Sequence, residues 1–123
     1  MISGTVRGFR EAVVPLKLRG PGGAEVRVEA VIHTGFSGAL TISPATVAAL
    51  GLVRQSDVTV RLGDGTVRQL DVYDVEVEWD GAWLAALVTE IDGDPLIGMR
   101  LLAGHELRMA VVPGGVVEMT PLP

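Results

Sequence analysis

The sequence predicts an all-β domain. Three observations carry that prediction: an aliphatic core composition, short runs that alternate apolar with polar residues, and Asp-Gly pairs between those runs. Hydrophobic residues make up 48% of the chain but aromatic ones only 4%, so Val, Leu, Ile and Ala must fill the interior. At 123 residues the chain is long enough for one compact core and too short for two ordinary ones, so residues 1–123 are read as a single domain.

The first strand expected from the pattern runs from Glu25 to Ile32, where alternating Val26, Val28 and Ala30 give way to the apolar Ala30-Val31-Ile32. It leads directly into Thr34-Gly35-Phe36-Ser37-Gly38, a Gly-framed loop of the kind that places polar atoms at a rigid site, or an ordinary tight turn. Leu40-Thr41-Ile42 follows. Ser43-Pro44 through Gly51 then supplies an N-cap serine, a proline at the first helical position and a glycine past the end, which predicts a two-turn helix.

Val58, Val60 and Leu62 alternate with Thr59 and Arg61 up to Gly63-Asp64-Gly65-Thr66, a tight hairpin that can act as a mobile flap. From Val67 to Trp79 the apolar phase changes between Leu70/Val72 and Tyr73/Val75/Val77, which predicts a long strand that bends or bulges partway and that two sheets could share. A second turn at Asp80-Gly81 precedes Trp83 to Val88, a nearly uninterrupted apolar run expected to be buried on both faces. Leu96 to Gly104 reads as a short buried strand turning into a short helix capped by glycine. Leu107 to Val112 and Val116 to Met119 read as a last hairpin around Pro113-Gly114-Gly115. The sum is seven or more strands with two short helices, as in a small closed or half-open barrel.

The net charge of −5 gives no basic footprint for nucleic acid. With no cysteine there is no disulfide, thiolate nucleophile or Cys-ligated zinc. No stretch approaches the roughly 20 apolar residues of a membrane span, and residues 1–15 lack an apolar core of signal-peptide length. A cytoplasmic protein with no membrane partner and no cofactor is expected.

The segment Val31-Ile32-His33-Thr34-Gly35-Phe36-Ser37-Gly38-Ala39-Leu40, with Leu96-Ile97-Gly98-Met99 and Leu101-Leu102 about sixty residues later, resembles the bacterial retropepsin-like aspartic proteases. Their signature is two apolar residues followed by Asp-Thr-Gly-Phe-Ser-Gly. Leu62-Gly63-Asp64-Gly65-Thr66 stands where that family has its flap, so the resemblance spans about Glu25 to Val112. It implies an acid-protease fold and a homodimer acting on peptide or protein substrates. In that family each copy contributes one catalytic loop, and the two aspartates share a water. The same resemblance places His33 at the aspartate position, with Thr34 and Gly35 completing the catalytic loop. Gly63, Asp64 and Gly65 become the substrate-covering flap, and Ile97-Gly98 the packing beneath the loop.

The family's mechanism needs two carboxyls close enough that only one ionises. An imidazole is larger, offers one acceptor instead of two oxygens, and repels its twin once both are protonated. A singly protonated imidazole pair has an acid and a base, but it would displace the water that the mechanism positions. Activity is therefore expected to be severely reduced or absent. Three readings of His33 stay open: a substitution, natural or introduced, that silences a protease; a symmetric metal site shared by two copies; or a histidine satisfied by backbone groups in a domain that only binds peptides or a partner. His105 is expected to be a solvated turn residue, and Asp64, Asp92 and Asp94 to serve turn chemistry. Trp79 and Trp83 are expected to pack on the sheet or at its edge.

Overall fold

The computed structural model describes residues Met1–Pro123. The chain is 56% strand and 9% helix, an all-β composition. Ten strands form one continuous sheet: β1 (Ile2–Arg7), β2 (Glu11–Arg19), β3 (Glu25–Ile32), β4 (Leu40–Ile42), β5 (Arg54–Arg61), β6 (Val67–Trp79), β7 (Ala82–Glu90), β8 (Leu96–Ile97), β9 (His105–Met109) and β10 (Val116–Pro121). Two helices interrupt them, α1 (Pro44–Leu50) and α2 (Met99–Leu102).

The strand order is β5-β6-β7-β4-β8-β3-β2-β1-β10-β9, and β6 also pairs with β2 through Leu18↔Val77 and Arg19↔Glu76. That extra pairing joins β6-β7-β4-β8-β3-β2 into a ring of neighbours. Inside it Leu18, Leu40, Ile42, Val77, Val88 and Ile97 are fully buried, so a one-residue slip in any of these strands would turn apolar side chains out to water. The core is mainly aliphatic, as the composition requires, with Tyr73 and Trp79 as its aromatic members.

β1 and β2 precede the first strand expected from the pattern. In β2 the pairs Leu16/Lys17 and Leu18/Arg19 do alternate, with both leucines buried, but Pro15 breaks the run. Pro15 is tolerated because β1 pairs with β2 only as far as Val13, so the side on which Pro15 lacks an N–H has no partner strand. β5 begins at Arg54, four residues before the expected Val58, and β9 ends at Met109, short of Val112.

α1 forms as its sequence predicts: Ser43 Oγ accepts the Thr46 N–H, and Gly51 closes the helix in the left-handed region at φ 62°. In α2 the left-handed residue is again glycine, Gly104, which follows the C-cap Ala103.

The phase change in β6 falls at Val72 and Tyr73, both buried, and the extra residue that accompanies it belongs to the strand opposite and not to β6 itself. Val67 to Tyr73 pair with β5 and Val72 to Trp79 pair with β7, so the pairing partner changes at the same place. The irregularity lies in β5, between Arg54 and Ser56.

The expectation that Trp83 to Val88 is buried on both faces is incorrect. Val88 is buried, but Leu84 is 44% and Leu87 48% exposed. β4 covers the outer edge of β7 only at Val88 to Glu90, leaving Ala82 to Leu87 as a sheet edge. Trp79 is buried, whereas Trp83 lies on the outer face with the Arg19 guanidinium 4.1 Å from its ring centre. His105 is not a solvated turn residue. It belongs to β9, its Nδ1 lies 3.0 Å from the Ala103 carbonyl oxygen, and the Trp79 indole N–H donates to its Nε2 at 3.4 Å.

A candidate functional site around His33

β8 sits between β3 and β4, parallel to the first and antiparallel to the second, and this fixes the loop that joins them. His33 follows directly from β3. Its N–H donates to the Ile97 carbonyl at 2.9 Å, and its own carbonyl accepts the Phe36 N–H at 3.1 Å, which starts the turn. On the far side of the loop Gly98, Met99 and Arg100 donate their N–H groups to the carbonyls of Ala39, Phe36 and Gly38 at 2.9, 2.8 and 3.1 Å. The loop is held by backbone hydrogen bonds at both ends.

Gly98 is what permits this closeness. A Cβ there would lie 2.1 Å from the Gly38 oxygen, 2.5 Å from the Phe36 ring and 2.7 Å from the Phe36 oxygen. The imidazole of His33 lies over Gly35, where a Cβ would come within 2.9 Å of Cε1 and 3.3 Å of Nδ1. In contrast to His105, the His33 ring makes no hydrogen bond within the chain. Neighbouring backbone groups therefore do not satisfy this ring.

His33, Gly35 and Phe36 form one wall of a cleft of about 470 Å³. Val60, Arg61, Leu62 and Gly63 from the β5–β6 hairpin form the opposing arm, while Thr41, Leu70, Thr89, Ile91 and Leu96 complete the lining. Thr41 is buried, and its hydroxyl oxygen accepts the Leu96 N–H at 2.9 Å, tying β4 to the start of β8. Apolar side chains dominate the surface, and the residues in it able to carry charge are His33 and Arg61. No carboxylate is among them.

Of the residues singled out in the sequence, His33, Gly35 and Gly63 line this cleft. Thr34 is exposed on the same loop but does not line it. Asp64 and Gly65 lie at the hairpin tip, outside the lining. Asp64 serves the turn: its carboxylate accepts the Thr66 N–H at 2.9 Å and the Thr66 hydroxyl at 2.6 Å. These bonds hold its pKa below the ordinary carboxylate value. Gly65 adopts φ 86°, and the Leu62 N–H to Thr66 carbonyl bond closes the hairpin at 2.8 Å. Asp94 pairs at 3.7 Å with Arg7.

Thr41, Arg61, Leu70, Thr89, Ile91 and Leu96 were not singled out as site residues. They come from five separate stretches of chain, and spacing along the sequence carries no signal that they converge. No group of three or more His, Cys, Asp or Glu side chains is placed to hold a metal ion. No helix is long and apolar enough to cross a membrane. No family model matches the sequence, and the comparison with curated proteins finds no match.

Proposed function

We propose that the chain is a retropepsin-like scaffold, a small barrel that pairs with a second copy around the His33 loop and holds an extended peptide segment in the cleft. Peptide hydrolysis by the family's mechanism is lost or severely reduced, because an imidazole stands where that mechanism requires a carboxyl. The observation that carries the reading is the Gly-framed loop 33–38, clipped to residues 97–100 and opening into an apolar cleft whose far side is a β-hairpin. Three sequence segments that resemble one family meet there.

The chemistry follows from what the cleft contains. Two carboxyls that share one proton provide a base and an acid at once. The lining has no carboxylate, so neither role is filled by Asp or Glu of the same copy. Apolar walls with few polar groups suit the binding of a chain more than the activation of water. That absence favours a second reading, a non-catalytic domain that uses the same cleft for peptides or a partner protein. A symmetric metal site has less support, because each copy would offer His33 without two further ligands in reach.

His33→Asp separates the catalytic readings. The restored protein should form dimers and cleave unstructured peptides with an acid optimum, while the chain with His33 leaves the same peptides intact. If neither protein cleaves any peptide from a broad pool at any pH between 3 and 8, the protease scaffold is rejected and the binding domain remains.

A further inference from the structure

The charge of the cleft narrows what it takes, granting the peptide-cleft reading above. The chain as a whole carries 15 acidic against 10 basic residues, yet the lining of this cleft reverses the balance. Arg61 contributes to it from the hairpin arm and His33 from the loop wall, with no Asp or Glu between them.

Neither group is neutralised from within. Arg7, Arg19, Arg54 and Arg108 each have a carboxylate partner at 2.7 to 3.1 Å elsewhere on the surface. Arg61, like Arg10, Arg27, Arg68 and Arg100, has no such partner, and of these five it is the one that lines the cleft; the His33 ring has no hydrogen-bond partner. An unpaired guanidinium at the edge of an apolar cleft presents a planar set of donors that matches a carboxylate better than any neutral group. The apolar remainder, Phe36, Leu62, Leu70, Ile91 and Leu96 among others, accommodates aliphatic neighbours of that anion.

We infer that the cleft prefers an extended peptide bearing a carboxylate side chain flanked by apolar residues, and that Arg61 is the residue that selects the acid. Arg61 touches the ligand for recognition and has no part in bond cleavage. In the absence of bound peptide its guanidinium stays solvated, so discrimination arises only when the ligand excludes water around the pair.

The test uses the full chain and blocked apolar hexapeptides in which Glu is moved through each position, each with a Gln counterpart, followed by fluorescence anisotropy. At one position Glu should bind about fivefold more tightly than Gln, the upper end of what a partly solvated ion pair supplies. That preference should vanish in Arg61→Gln, persist in Arg61→Lys and shrink in about 0.5 M salt. Both variants should keep the unfolding midpoint of the parent, since Arg61 is exposed and unpaired. Equal binding of Glu and Gln peptides at every position overturns the carboxylate preference while leaving the peptide cleft intact. A preference that survives Arg61→Gln unchanged overturns the role of Arg61. No binding of any peptide removes the peptide cleft itself, and the inference falls with it.

Discussion

Gly98 shows how a single missing side chain determines the site. The atoms that a Cβ would strike are mostly backbone, the oxygens of Gly38 and Phe36, which cannot step aside as the end of a flexible side chain can. Gly98→Ala should therefore push the 33–38 loop off β8 and lower the unfolding free energy by about 2 kcal/mol or more, read by urea denaturation. A loss below about 0.5 kcal/mol would mean that the loop is not clamped as described. His33 was legible in the sequence because the residues around it keep their spacing. The placing of its ring over Gly35 was not legible, because it depends on a side-chain torsion chosen by the packed loop.

At the scale of elements, the β5–β6 hairpin has a tip whose order depends on one ionised group. The folded-state pKa of Asp64 is depressed by the Thr66 hydroxyl and amide. Its contribution to the hairpin is thus fully present above the unfolded carboxylate value and is lost as pH falls through the lower folded value. The Thr66 amide resonance should follow that acid titration and become insensitive to it in Asp64→Ala. A Thr66 signal that is flat with pH in the parent would contradict the assignment. The turn itself was legible as an Asp-Gly pair between alternating runs. β7 teaches the opposite lesson: Trp83 to Val88 is apolar in sequence yet half-exposed, because burial depends on whether a neighbour strand continues, and the parallel strand β4 begins only at Leu40, opposite Val88. Hydrophobicity of a run does not report the length of its partner.

For the whole molecule, the pairing of β6 with β2 is the contact that turns an open sheet into a ring, and it places Leu18 opposite Val77 with both fully buried. Leu18→Ala should cost about 3 kcal/mol and reduce the thermal midpoint accordingly, whereas Leu84→Ala on the open edge should change it by less than about 1 kcal/mol. Comparable losses at both positions would mean that the edge of β7 is covered in solution. The sequence by itself determined the all-β class, the helix α1, the turns and the loop at His33, because these rest on periodicity, capping and glycine or proline geometry within a few residues. Only the tertiary structure decided that β6 closes onto β2, which backbone groups clip residues 97–100 to the loop, and that Arg61 reaches the same cleft as His33. Those contacts join residues far apart along the chain, and the free energy that selects them comes from burying several strands at once, a quantity no local window of sequence contains.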